Sequence, residues 1–251
     1  MSPRASRGRA ARFPRVGGWE LLPEGGVVHR AEEVAVIADV HLGYEWARGS
    51  AGDCVPAHSL AETVAKLAAM RKRLRFRRLV IAGDVVESPR PCARTAADLS
   101  RLCGWLLDRE VELVLVQGNH DRSLPAMAAR EGFPARGVRL EASLVVDGWT
   151  IEHGHRAATA GPVISGHHHP VLRAAGQSAS CFLAGPDRII LPAFSPNAAG
   201  LDVLAARLPE ACRGDSLRCL VSTGAEVLDF GPLATLAARL GRADGPAPPG
   251  S

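Results

Sequence analysis

Five short segments of this 251-residue sequence carry side chains that could bind a metal ion or move a proton. They combine aspartate, asparagine and histidine, and seven of the nine histidines of the chain fall within them. In chain order the segments are D-V-H (39–41), G-D (83–84), G-N-H-D (118–121), H-G-H (153–155) and G-H-H-H (166–169). Carboxylate, amide and imidazole donors form a mixed nitrogen and oxygen set, which suits Mn, Fe, Zn or Ni better than Ca or Mg.

The number of these donors indicates more than one ion. Roughly seven candidate ligands oversupply a single site, whereas two ions about 3.5–4 Å apart that share a carboxylate form the usual clamp for displacement at phosphorus. The six cysteines include no C-x-x-C pair. They are therefore predicted to be reduced, mostly buried thiols, and a structural zinc site built on thiolates is excluded.

Continuous apolar runs lead into the first three segments: VAVIADVH (34–41), RLVIAGDVV (78–86) and VELVLVQGNHD (111–121). Unbroken Val, Ile and Leu predict strands that are buried on both faces. Ligand sites of open α/β sheets form beyond the carboxyl ends of the strands. We therefore expect the polar residues that end these runs to meet at one edge of a sheet.

Helical patterns separate the three predicted strands, one over 59–74 and the other over 93–110. Ser59 and Glu62 form an S-x-x-E pattern, which predicts a capping box at the start of the first helix. Alternating strands and helices imply right-handed crossovers, so the first half is predicted to be βαβαβ in an α/β layered fold.

The second half, after residue 138, is predicted to be β-rich, with short apolar runs split by Gly, Pro and Asp. The sequences VDGW and STGAE are typical of hairpin connections. We predict a single domain over 16–235, preceded by a disordered basic arm (1–15) and followed by a helix end and a disordered tail (236–251).

Composition limits the classes of function. The chain is 47% hydrophobic with a formal net charge of +4, which favours anionic ligands without singling out nucleic acid. No apolar run approaches the ~18 residues of a membrane span, and no secretory signal is apparent, so a cytoplasmic protein is expected. The basic run RKRLRFRR (71–78) is open to two interpretations, favourable charge at a helix C-terminus or a track for nucleic acid.

In this order and at these strand ends, the five segments resemble the motifs of the calcineurin-like metallophosphoesterase superfamily, over about residues 34–200. That resemblance implies central β-sheets in a β-sandwich flanked by helices. More narrowly, ADVHLGYE, SGHHHP and LPAFSPNAAG (191–200) resemble phosphoesterases related to the SbcD-type nucleases, including the ligase-associated DNA-damage-response endonuclease branch.

The superfamily resemblance also implies a role for each motif residue. It implies a first metal held by Asp39, His41 and His169, a second held by Asn119, His153 and His167, and a bridge formed by Asp84. His120 would protonate the leaving group or stabilise phosphoryl charge, with Asp121 orienting its ring. The nucleophile would be a metal-bridging hydroxide.

Three further assignments are less direct. His153 is preferred to His155 as the ligand from H-G-H, and His155 is expected nearby or on the surface. If 163–168 is a strand, alternation turns His167 and His169 to one side and leaves His168 as the spare. Arg48 could contact a substrate phosphate or be a solvated loop residue.

The predicted function is that of an enzyme, a dinuclear metal-dependent phosphodiesterase, and its narrower interpretation is a DNA-repair nuclease. Its expected cofactors are two divalent ions, Mn²⁺ first, with Fe, Zn, Ni or Co as alternatives. Nucleic acid and a DNA ligase or helicase are candidate partners, and no membrane is involved. The alternatives are a phosphomonoesterase or nucleotide pyrophosphatase on the same site, and a catalytically silent scaffold, which the complete set of motif residues disfavours.

Overall fold

Two β-sheets stacked face to face form the centre of the molecule, and helices cover their outer faces. The computed structural model describes residues 13–156 and 160–240. The first sheet has its strands in chain order and consists of β1 (Arg15–Val16), β2 (Trp19–Leu21), β3 (Val27–His29), β4 (Val34–Ile37), β5 (Arg78–Ala82), β6 (Glu112–Val116) and β7 (Arg139–Glu141). Strands β1 to β4 pair antiparallel, and β4 to β7 pair parallel.

The helices of the first half are α1 (Tyr44–Ser50), α2 (Ser59–Arg73), α3 (Ala93–Leu107) and α4 (Leu124–Arg130). Helices α2 and α3 connect the parallel strands β4, β5 and β6, so the predicted βαβαβ order is confirmed.

The second sheet is made of the later strands, in the order β14-β11-β12-β13-β10-β9-β8, with β15 paired to β12 and to β16. Its strands are β8 (Leu144–Val146), β9 (Trp149–Glu152), β10 (Val163–Ser165), β11 (Pro170–Ala174), β12 (Gln177–Gly185), β13 (Arg188–Ile190), β14 (Leu201–Asp202), β15 (Arg218–Ser222) and β16 (Val227–Pro232). Helix α5 (Leu233–Arg239) follows. Short 3-10 turns occupy Asp121–Ser123, Pro134–Arg136 and Glu210–Cys212.

Alternation along the parallel strands explains their unbroken apolar sequence. In β5, Leu79 and Ile81 pack with the helices, while Val80 faces the second sheet. The same alternation holds in β4 and β6, so each strand fills two cores at once. A third core lies between the second sheet and α5, where Leu183 and Leu236 are buried. The order of layers is therefore helix, sheet, sheet, helix, as predicted.

The VDGW segment forms the predicted tight hairpin. Strands β8 and β9 pair antiparallel across the two-residue loop Asp147–Gly148, whose φ angles are 47° and 76°. Two consecutive left-handed residues define a type I′ turn, which matches the twist of the strands it joins.

One prediction from the sequence is wrong, and two others concern segments that lie mostly outside the residues that the structure describes. The prediction of a capping box at Ser59 is wrong, because His58 is the N-cap of α2. The Ser59 hydroxyl instead donates to Glu45 Oε2 at 2.5 Å. Most of the predicted arm and tail lies outside the described residues; of the arm, residues 13–15 are described and Arg15 begins β1. No helix of the described residues is long and apolar enough to cross a membrane.

Candidate metal centre

The motif residues converge where the carboxyl ends of the parallel strands meet the second sheet. Asp39 follows β4, Asp84 follows β5 and Asn119 follows β6. From the second sheet, His153 follows β9, and the three consecutive histidines lie between β10 and β11. Loops from both sheets therefore supply the site, which no single half of the chain could build.

Asp39, His41 and His169 form the first triplet, with ligand atoms that all lie within 4.8 Å of one another. Asp39 Oδ1, His41 Nε2 and His169 Nε2 are buried and make no hydrogen bond. Buried polar atoms rarely remain unpaired, because each loses its hydration without compensation. Three such atoms aimed at one point fit a bound cation.

Asp84, His153 and His167 form the second triplet by the same distance criterion. His153 is fully buried, and its Nε2 lies 3.3 Å from Asp84 Oδ2 and 3.0 Å from Asn119 Oδ1. The predicted amide donor Asn119 thus belongs to this group. The two triplets are adjacent, since His153 Nδ1 is 3.6 Å from Asp39 Oδ1.

Backbone carbonyls orient three of the imidazole rings in the same sense. Nδ1 faces Ala82 O at 3.2 Å in His153, Ala199 O at 2.9 Å in His169 and Glu87 O at 2.6 Å in His120. A carbonyl only accepts, so each Nδ1 carries a proton and each ring turns its Nε2 toward the site. Such an outer hydrogen bond is the usual support of a metal-binding histidine.

Five of the motif residues have left-handed backbone conformations. The φ angles are 55° at Asp39, 49° at His41, 45° at Asp84, 70° at His167 and 45° at His169. Only nine non-glycine residues of the described chain have a positive φ, so this strain is concentrated at the site. Because a left-handed conformation is unfavourable for these residues, contacts with the surrounding structure must hold their side chains in place.

Burial and neighbouring charges shift the pKa values of residues in the second triplet. Burial alone would raise the pKa of Asp84, but the hydrogen bond and charge of His153 outweigh it and hold that pKa well below its usual range. Burial and the neighbouring His153 and His168 lower the pKa of His167 to about 4. At neutral pH the second triplet therefore offers an ionised Asp84 and a neutral His167, which are the forms that bind metals. In His153, burial is outweighed by the hydrogen bond to Asp84 and the charge of Asp39, which raise the pKa of the ring.

His120 stands beside the triplets with its ring partly exposed. Its side chain is 36% exposed, and Nε2 lies 3.9 Å from Asp84 Oδ2. His120, His41 and Glu87 also form a third group with ligand atoms within 4.8 Å of one another. Geometry therefore places His120 where it could reach a substrate or take part in binding an ion.

Asp121 does not orient His120, so that expectation is wrong. Its two carboxylate oxygens accept the backbone N–H groups of Val86, at 3.1 Å, and of Gly118, at 2.8 Å, and they tie the loops after β5 and β6 together. The carbonyl of Glu87 orients the ring instead.

Glu87 was not among the sequence-predicted site residues. Its Oε2 lies 2.8 Å from His41 Nδ1, although the atoms are not aligned as a hydrogen bond. Glu87 comes three residues after Asp84, beyond the end of the apolar run. A carboxylate so close to the G-D motif was the available signal.

The remaining predicted residues lie at the margin. The His155 ring centroid is 5.1 Å from that of His153, and the His168 centroid is 5.0 Å from that of His167; neither residue belongs to a triplet among the described residues. Strand β10 ends at Ser165, so His168 is turned away by left-handed residues on either side and not by strand alternation. Arg48 pairs with Asp53 at 2.6 Å.

Comparison with known proteins gives two results. The model of the calcineurin-like phosphoesterase family matches residues 33–189, more than half of the chain. Among solved structures, the nuclease MPE of Pseudomonas putida is similar, with a TM-score of 0.64 and 23% identity over 84% of this chain and 94% of that one. At this identity the similarity shows a common fold. No curated protein matches the chain.

Proposed function

This chain belongs to the calcineurin-like phosphoesterase family, and on that premise we propose that it is a hydrolase that uses two divalent ions, Mn²⁺ first among them, to cleave phosphodiester bonds. The observation that carries the proposal is the pair of adjacent triplets that converge from both sheets, the first of which has three buried ligand atoms without a hydrogen-bond partner. The mixed carboxylate and imidazole donors suit Mn²⁺ and the other borderline ions.

Each side chain has a distinct part in this proposal. Asp39, His41 and His169 would hold one ion, and His153 and His167 would hold the other with Asn119, leaving Asp84 between them. Bound divalent ions supply an activated water molecule and neutralise phosphoryl charge. His120 faces the same space through Nε2, from which a proton can pass to the departing oxygen.

The backbone contributes to placing these groups. The N–H of His120 donates to Asp84 Oδ1 at 2.9 Å, and the N–H of His167 donates to Asp39 Oδ2 at 2.9 Å. One oxygen of each aspartate thus accepts a hydrogen bond from the loop that carries another functional histidine, and the other oxygen faces the site. Moving either aspartate would displace a second residue as well.

We further propose nucleic acid as the substrate class, within the SbcD-related subgroup and its ligase-associated DNA-damage-response branch. Support comes from the mildly basic charge and from the fold shared with a nuclease of Pseudomonas putida. A phosphomonoesterase is the competing activity, and relative rates on mono- and diester substrates separate the two. A repair role and a ligase or helicase partner belong to the same proposal.

The test is hydrolysis of bis(p-nitrophenyl) phosphate and of single- and double-stranded DNA with Mn²⁺, in the wild type and in His120→Ala. We expect the variant to retain its ions and lose at least about a hundredfold in kcat, the usual contribution of acid catalysis. His58→Ala, which removes an equally exposed histidine at the start of α2, is the matched control and should be unchanged.

Two outcomes would count against the proposal. An absence of hydrolysis of any phosphate ester with Mn²⁺ or the other borderline ions contradicts the activity. Full activity of His120→Ala contradicts only the role of that histidine.

A further inference from the structure

A segment that contributes no ligand runs along one half of the metal centre. We call residues 191–201 the buttress segment. Its backbone pairs with the chain that carries Asp39: Phe194 N donates to Ala38 O at 2.9 Å, and Ser195 N donates to Asp39 O at 3.0 Å. The left-handed backbone of Asp39 is thereby held from outside its own loop.

The far end of the buttress segment holds another ligand of the same triplet. His169 Nδ1 donates to Ala199 O at 2.9 Å, and Leu201 N donates to His169 O at 3.0 Å. Asp39 and His169 are 130 residues apart in sequence, and their facing atoms Oδ1 and Nε2 are 3.3 Å apart. One continuous segment therefore sets the positions of both residues.

Two side-chain contacts fasten the buttress segment to helix α2. Lys66 Nζ donates to Phe194 O at 2.7 Å and lies 4.0 Å from the centroid of the Phe194 ring. Asn197 Nδ2 donates to Ser59 Oγ at 3.3 Å. The lysine contact is the shorter, it is charge-assisted, and it acts one residue from the bond to Asp39.

We propose that Lys66 is a positioning residue for the first triplet: its ammonium fixes the buttress segment against helix α2 and so holds Asp39 and His169 at the separation that a metal ion needs. This inference rests on the proposed function, because it assumes that the triplet binds an ion. Lys66 touches neither the ion nor the substrate and acts through the peptide backbone.

The chemistry of the position favours this role over simple packing. Burial lowers the pKa of Lys66 to about 8, against the charges of Glu24 and Glu62. Lys66 is half-buried, and an ammonium in such a place destabilises the fold relative to an apolar side chain of similar length. The chain has only two lysines among its thirty Lys and Arg residues, so a compact ammonium at this position is unusual for the sequence.

A cavity of about 490 Å³ explains how this ammonium stays charged. Lys66 and Glu24 both line it, and Glu24 Oε2 is buried without a hydrogen-bond partner among the described residues. The carboxylate and the cavity give the ammonium an opposite charge and access to water, while its one contact of 2.7 Å goes to the buttress segment.

The experiment is a two-site titration of the metal-free protein with Mn²⁺, monitored by the free-ion EPR signal, in wild type, Lys66→Met and Lys66→Arg. We expect Lys66→Met to bind one ion as the wild type does and the other at least about tenfold more weakly, the usual loss when the support of a ligand is removed. Lys66→Arg, which restores a charged donor, should recover part of that affinity. Lys72→Met, which removes the other lysine from an exposed position on the same helix, should bind both ions normally.

The stability of the same variants shows whether the charge is buried. Between pH 8 and about 10.5 the unfolded chain keeps a proton that folded Lys66 has released, so the free energy of unfolding of the wild type should rise with pH relative to Lys66→Met. If Lys66 served only for packing, its replacement would instead lower the free energy of unfolding at every pH and would weaken the binding of both ions.

The outcomes separate this inference from the proposed function. If the wild type binds fewer than two Mn²⁺ ions, the proposed dinuclear site is wrong. If the wild type binds two and Lys66→Met binds both with equal affinity, the positioning role is wrong. Should Lys66→Met fail to fold, Lys66→Gln tests the same contact, because its amide is too short to reach Phe194 O, and unchanged affinities there would also overturn the inference.

Discussion

At the scale of single residues, the site is defined by which nitrogen of each histidine faces it. Three rings donate Nδ1 to a backbone carbonyl, and each carbonyl belongs to a residue at least 30 positions away in sequence. The Nε2 atoms of these rings are thereby turned toward the site. The energetic benefit is that little reorganisation remains for the binding step.

His41 differs from the other rings, because a carboxylate and not a carbonyl faces its Nδ1. We predict that Glu87→Gln lowers the affinity for one Mn²⁺ ion about 10–100-fold, since the amide keeps the shape but removes the charge that makes the ring a stronger ligand. The measurement is a Mn²⁺ titration of the metal-free protein with circular dichroism as a check on folding.

A matched control for this variant is Glu226→Gln, at the exposed tip of the β15–β16 hairpin. It should leave both affinities unchanged. Equal binding by Glu87→Gln and the wild type would show that Glu87 only lies near His41 and does not support it.

At the scale of elements, short loops after buried strands do most of the positioning. The loops after β5 and β6 approach so closely that a Cβ on Gly118 would lie 2.2 Å from Asp84 Oδ1. The loop after β10 is equally close to that after β4, where a Cβ on Gly166 would lie 2.3 Å from Asp39 Oδ2. The glycines of the motifs are therefore required by the carboxylates opposite them.

This closeness predicts the result of Gly118→Ala. The new methyl group must displace Asp84, so the free energy of unfolding of the metal-free protein should fall by ~1–3 kcal/mol and Mn²⁺ binding should weaken. Urea denaturation and the same Mn²⁺ titration measure the two effects.

Gly49→Ala serves as the control, because no atom lies within 4 Å of a Cβ at this helical position. It should leave Mn²⁺ binding unchanged and raise stability by up to ~1 kcal/mol through helix propensity. A Gly118→Ala variant that binds Mn²⁺ normally would mean that the two loops can separate without cost.

At the scale of the whole molecule, the direction of the strands separates the basic run from the metal centre. Residues 71–78 end helix α2 and begin β5, whereas Asp84 follows the other end of β5. Five residues of strand span about 16 Å. Several of the arginines are also paired, as in Arg78 with Glu112 at 2.8 Å. The geometry thus favours the interpretation of this run as charge at a helix end.

We predict that Arg75→Gln with Arg77→Gln leaves the KM for DNA unchanged. Arg122→Gln should raise that KM and reduce the salt dependence of binding by about one phosphate contact, because Arg122 is exposed and follows directly after His120 and Asp121. Measurements of KM at two salt concentrations compare the variants. A larger loss in the double variant than in Arg122→Gln would assign the basic run to substrate binding after all.

The donor types, the strands that carry the first three motifs and their common edge can all be read from the amino-acid sequence. These features are local: an unbroken apolar run that ends in Asp or Asn is visible without knowledge of the partner strand. The βαβαβ order of the first half also followed, because strand–helix alternation leaves few topologies, whereas the stacking of two sheets was implied by the family resemblance.

The neighbours that support the donors become visible in the folded chain. The oxygens of Asp121, the carboxylate of Glu87 and the ammonium of Lys66 act on residues in other elements, and their roles depend on turns of positive φ and on contacts across the sheets. In the histidine run, the division of His167 and His169 between different triplets agrees with the sequence prediction, but its cause is the left-handed backbone after β10 and not strand alternation. The spacing of the motifs identifies the side chains that are available, but packing between distant segments holds those side chains in their orientations.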